Sequence, residues 1–259
     1  MAAVLTRRHA LAGLVAAGLP AGRALAGPGA GRPGAPLFDG MGDYRVPDAT
    51  PSARSLRYSA QGMVMAWGFN PAEAARSFEG ALRIAADCAA CHWGLAWALG
   101  PTINADMAPS DAPRVAAALV QARAHRGGAA ERFRDLVDAL SLRHPGPTAH
   151  DIDEEAYAGR MRALAPRRRG DADIAVLAAE SLMNLHPYDW WGDDGQALPW
   201  TGEIVSLLSR ALTLAPEHPG ANHYWVHLFE TSATPQRAAR EADRLRTLVP
   251  GSGHLLHIP

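Results

Sequence analysis

The chain contains no lysine: its 25 Lys-plus-Arg side chains are all arginine. That is a coding bias and carries no functional reading. A surplus of one charge is missing too. The formal net charge is -1, so composition offers no electrostatic case for a nucleic-acid partner. There is no GxSxG elbow, no phosphate-cradling glycine loop and no HExxH pair, which leaves hydrolase and nucleotide readings without their motifs. No segment alternates apolar and polar residues as a half-buried strand does. No apolar run is long and unbroken enough to span a bilayer. Glycine and proline are plentiful but follow no tripeptide period, which excludes a collagen-like chain.

What remains is a 259-residue chain with 48% apolar residues, enough for one domain or one repeat array with a buried core. Thr6-Arg7-Arg8-His9-Ala10-Leu11 opens a stretch of small and apolar residues that ends at Ala24-Leu25-Ala26. A charged start, a modest apolar centre and an A-x-A end predict a cleavable export signal over 1–26. Its arginine pair resembles a twin-arginine signal, with Ala10 where Phe is usual. The expected location is therefore exported, periplasmic or extracellular, with no membrane span in the mature chain. Residues 27–52 are rich in Gly and Pro and read as a mobile linker.

From residue 53 to 259 the pattern is helical. Tyr58, Met63, Val64 and Trp67 mark one apolar face, broken by Gly68-Phe69-Asn70-Pro71. Pro71 opens a second helix whose Ala74, Ala75, Phe78, Ala81 and Leu82 share a face. A helix, a short turn and a helix with small alanines and one large aromatic form a repeat unit. One such hairpin cannot hide its apolar face, so hairpins stack. Further helices are expected from Asp87 to Leu99, from Pro113, over ERFRDLVDALSLRH, from Asp153, from Asp171 to Leu185 and from Thr201. Leu214-Ala215-Pro216 and Leu248-Val249-Pro250 are equivalent helix ends about 34 residues apart, a tetratricopeptide period. The expected fold is an all-α solenoid of stacked helical hairpins.

On these pieces the chain resembles a family of bacterial tetratricopeptide-repeat proteins. The segments that carry the resemblance are GFNPAEAARSFEGAL, CAACHWGLAWALGPTINADM, AYAGRM, LAAESLMNLHPYDWW, HPGANHYWVHLFE and GSGHLLHIP. Family members run to roughly twice this length and continue through a Ser-His-Ile-Tyr run. This chain has Thr102 where Asn is usual and Ile258 where Met is usual, and it reads as a shortened member. A shortened array leaves an unpaired C-terminal face, which predicts self-association or poor solubility. The resemblance implies no particular activity.

The same repeat offset carries His223 onto His257. His227 lies one turn beyond His223 and shares its face, with Glu230 on the same side. His254 lies one turn before His257. Imidazoles on neighbouring helices 8–10 Å apart can reach one ion. The expectation is a transition-metal site of His223, His227, His254 and His257, with Glu230 as ligand or base, for Zn, Cu, Fe or Ni. The competing reading makes these histidines polar lining of a groove. Cys88-x-x-Cys91-His92 matches the c-type haem attachment pattern. A Cys88–Cys91 disulfide suits an oxidising compartment better, and a metal role for the pair is a further option. Asn104, Trp190 and Tyr224 are candidate lining of a ligand groove. The leading functional reading is a scaffold whose concave groove holds a protein, peptide or small molecule. A His-rich metalloprotein or metalloenzyme comes second and a haem protein third.

Overall fold

The computed structural model describes residues 35–146, 148 and 150–258. The export signal expected over 1–26 lies outside them. The described chain is all-α, with eleven helices and no strand; two isolated bridges join Thr102 to Ala105 and Trp191 to Ala197. The helices are α1 (Ala53–Trp67), α2 (Pro71–Leu82), α3 (Ala89–Ala98), α4 (Ala112–His125), α5 (Glu131–Arg143), α6 (Glu154–Leu164), α7 (Ala172–Leu185), α8 (Thr201–Leu214), α9 (Pro219–Glu230), α10 (Ala239–Leu248) and α11 (Gly253–His257). Among the described residues no helix is long and apolar enough to cross a membrane.

Local chemistry explains where the helices begin. Asn70 caps α2 by accepting the Glu73 N–H, and Pro71 fills the first helical position. Asp153 and Asp171 cap α6 and α7 in the same way, through the N–H groups of Ala156 and Ile174. Before α9 the cap is His218, whose Nδ1 accepts from the Ala221 N–H, again followed by proline. Each cap satisfies one of the donors that a helix start leaves unpaired.

Consecutive helices pack on one another along the chain, and α9 additionally meets α1 and α7. Every residue of α9 from Pro219 to Phe229 is buried. Small residues permit the close approaches. The Cβ that alanine would add at Gly94 falls 2.2 Å from Cε1 of the buried Phe78. Gly94→Ala therefore overpacks the α2–α3 contact and is expected to cost about 2–3 kcal/mol. A urea unfolding midpoint reads this directly, and an unchanged midpoint would show that Phe78 has room to yield.

The linker expectation fails from residue 35 onward. Residues 35–52 pack on the helices because the segment carries anchors as well as glycine and proline. Tyr58 donates to the Ala35 carbonyl at 3.0 Å, and Gln61 Nε2 donates to the Pro36 carbonyl at 2.9 Å. The Tyr44 ring meets Trp67 edge-on at 5.0 Å, and its hydroxyl donates to Asp173 Oδ1 at 2.8 Å. Val46 is buried. The segment lies as a strap over the helical body.

Candidate metal centre

His223 and His227, one turn apart on α9, are almost wholly buried; His254, the second residue of α11, is half-buried. Their rings converge. The His223 and His254 centroids are 4.9 Å apart and the His223 and His227 centroids 4.6 Å. Nε2 of His223 and Nε2 of His254 stand 3.0 Å from each other. One nitrogen from each of the three rings lies within 4.8 Å of the other two, so the triad could hold a metal ion.

Protonation follows from the partners. His227 Nδ1 is 2.7 Å from Glu230 Oε1 and donates to it, which leaves the lone pair on Nε2. That Nε2 is buried and has no hydrogen-bond partner. His223 Nδ1 likewise lacks a hydrogen bond of good geometry, and only a weak backbone interaction with Trp67 favours its protonated form. Burial holds the His223 pKa well below the usual histidine value, and the neighbouring His227 and His254 push it further down. Burial, then His227 and His257, lower His254. His223 and His254 therefore favour the neutral imidazole, the form that binds metals. A buried nitrogen lone pair without a partner costs about 1–3 kcal/mol, and a cation between the rings would remove that cost. The donor set passes the chemical test for a borderline metal: three imidazoles, one of them backed by a carboxylate.

Two of the five expected metal residues take other places. His257 is exposed and is not one of the converging residues. The five-residue α11 turns His254 and the fully buried Leu255 inward and leaves His257 facing solvent. Glu230 is spent on His227 Nδ1, so it orients a ligand instead of being one. Phe69 is the residue that sequence reasoning missed. Its ring sits 4.7, 5.4 and 5.2 Å from the rings of His223, His227 and His254. It reaches them from a left-handed backbone position, φ 50°, in the turn after α1. Such a conformation is uncommon for a residue with a Cβ and holds only where surrounding structure enforces it. The Gly68-Phe69-Asn70-Pro71 turn signalled a break, and nothing in it signalled a lid on a histidine cluster.

The expected groove residues do not form a groove. Trp190 and Tyr224 are core residues, 0% and 1% exposed; Tyr224 packs edge-on against Phe69. Asn104 is exposed and accepts a hydrogen bond from Tyr188. The helix that carries Tyr224, α9, is buried from Pro219 to Phe229. Cys88 and Cys91 form a disulfide at the start of α3. Their sulfurs are bonded to each other, so neither is a thiol for a haem thioether or a metal, and His92 Nε2 bonds the Ala86 carbonyl at 2.9 Å. The structure thus takes the disulfide among the readings expected for this pair.

Comparison of the chain with protein-family models, with curated proteins and with solved structures gives no match.

Proposed function

We propose that this protein binds one transition-metal ion between His223, His227 and His254. The observation that carries the reading is the convergence of three imidazole nitrogens with a buried, unpartnered Nε2 on His227. Glu230 fixes the His227 tautomer that presents this nitrogen, the arrangement in which a carboxylate behind a histidine strengthens its metal bond. Zinc, copper, iron and nickel all suit an imidazole set. Three protein ligands with no fourth in the cluster is the pattern of metal sites that keep a position for water or substrate. An ion there would supply Lewis acidity. The helical frame is read as tetratricopeptide-like: α8 and α10 end at Leu214 and Leu248, and α9 and α11 begin at Pro219 and Gly253, both offset by a repeat of about 34 residues.

The test is elemental analysis of the protein purified without a metal-affinity step. About one ion per chain is expected, removable by a strong chelator and restored on adding zinc. A protein that stays metal-free and binds zinc, copper and nickel only more weakly than about 1 mM, an affinity of about 4 kcal/mol, would end the proposal.

A further inference from the structure

A second reactive group lies apart from the histidines: the disulfide between Cys88 and Cys91. It is a poor staple. Its cysteines stand three positions apart at one helix start, and a cross-link gains most when it closes a long loop. The helix it begins is already anchored, since Trp93 and Trp97 of α3 are buried. The bond therefore adds little to the fold.

The two sulfurs have different surroundings. Cys88 caps α3, and its Sγ accepts the Cys91 N–H at 3.0 Å. A sulfur at a helix N-terminus carries negative charge more readily, because the N–H donor and the helix dipole both favour a thiolate. In the protonated form its acceptor is the Ala49 carbonyl, 3.3 Å away. Cys91 is wholly buried. Its Sγ lies 3.5 Å from Ser59 Oγ and 3.9 Å from Ser55 Oγ. Both hydroxyls donate to carbonyls, Ser59 to Ser55 at 3.0 Å and Ser55 to Ala81 at 3.1 Å. They therefore turn lone pairs towards the Cys91 sulfur, which suits an S–H and opposes a thiolate. Reduction leaves a nucleophilic Cys88 and a protonated Cys91, the asymmetry that thiol–disulfide exchange uses.

Access follows the same division. A cleft of about 340 Å³ between the strap, the start of α3 and the turn after α4 is lined by Cys88, and Cys91 is not among its walls. The volume suits a small ligand. Ala89, Ala124, Gly127 and Gly128 keep the walls low, and a Cβ on either glycine would meet nothing within 4 Å. Thr50 and His125 give the cleft a polar edge. Asp87 is exposed at its rim, where solvent and salt screen the charge.

We propose that Cys88 and Cys91 form a redox-active disulfide that exchanges with the cysteine thiol of a small peptide seated in this cleft. The peptide thiol loses its proton and the thiolate attacks Cys88 Sγ. The bond between Cys88 and Cys91 breaks, its electron pair goes to Cys91 Sγ, and that sulfur takes up the released proton. A second peptide thiolate then attacks the peptide sulfur of the mixed disulfide, and Cys88 leaves as a thiolate. Two peptide thiols are oxidised to a disulfide by two electrons, and the cysteine pair is reduced by the same two. The metal reading plays no part in these steps.

Glutathione is the probe, used on the full chain at neutral pH. Excess reduced glutathione is expected to open the disulfide in the folded protein, and oxidised glutathione to close it again, read by mass after alkylation of free thiols. The reduced chain should keep its helical circular dichroism. Iodoacetamide should then label Cys88 at least about tenfold faster than Cys91, the weight of one pH unit in thiolate fraction. Cys91→Ser leaves Cys88 free in the cleft and should form a mixed disulfide with oxidised glutathione. Cys88→Ser keeps a capping residue at the start of α3 and should take up glutathione at least about tenfold more slowly. A disulfide that survives excess glutathione in the folded chain would overturn the proposal. So would a reduced chain that loses its helices, or equal glutathione uptake by the two serine variants.

Discussion

His227→Ala is expected to lower zinc affinity by at least about 100-fold, since even partners behind a metal ligand are worth about 10–100-fold. One of three converging nitrogens disappears, the buried and unpartnered Nε2 that an ion would satisfy. Glu230→Gln keeps the size of its side chain and removes its charge. It should cost about 10–100-fold by weakening the hold on His227 Nδ1. His257→Ala is the internal control: its ring is exposed and outside the converging set, so affinity should not change. Competition for zinc against a chromophoric chelator measures all three. The assignment fails if His257→Ala is as damaging as His227→Ala, or if His227→Ala binds zinc like wild type. Phe69→Leu separates packing from ligation. It removes the ring that lies against all three imidazoles and leaves every nitrogen in place, so some affinity should survive.

How far this site could be read from residues alone differs by ligand. The pair on α9 was legible because i and i+4 share a helix face. His254 was reachable only as the residue one turn before His257, the position that the repeat offset from His223 marked. His257 was chosen by the same offset and failed, because α11 is a single short turn in which only one side packs. An offset gives equivalence of position and says nothing about which side of a terminal helix is covered. The groove residues failed for a related reason: aromatic residues at repeat positions look alike whether they line a surface or fill a core, and Trp190 and Tyr224 fill the core. The packing of the strap on the helices had no sequence signal at all. It depends on Tyr44 meeting Asp173 across 129 positions, a pairing that composition hid behind a run of glycine and proline. The helices themselves, set by local periodicity, capping residues and proline, fell within a few residues of their expected bounds.

Glu180→Gln is expected to stabilise the protein at pH 8 relative to its effect at pH 5, by about 3 kcal/mol, taking about 1.4 kcal/mol per pH unit across the shifted range. Glu180 lies on α7, 2% exposed, and accepts from Trp97 Nε1 at 3.1 Å. Burial pushes its carboxyl up to about 7; Arg143, Trp97 and Asn184 pull it back in part, and Glu154 adds to the rise. The folded state therefore keeps this proton to higher pH than the unfolded chain, where a glutamate releases it near 4.5. The favourable contribution is fully present below about 4.5 and is lost as pH rises to about 7. Above that, folding must bury a charge. Glutamine keeps the acceptor for Trp97 and has no charge to bury, so its advantage should grow with pH. His144 works with the opposite sign: burial, then Arg143, lower it to about 4, and its contribution is lost as pH falls from the ordinary histidine range towards 4. The two slopes oppose each other over much of the weakly acidic range, so the wild-type stability curve alone would look flat and uninformative there. The Gln variant removes one slope and exposes the other. Urea unfolding of both proteins from pH 5 to pH 8 gives the difference, and parallel curves would show that Glu180 stays ionised in the folded core.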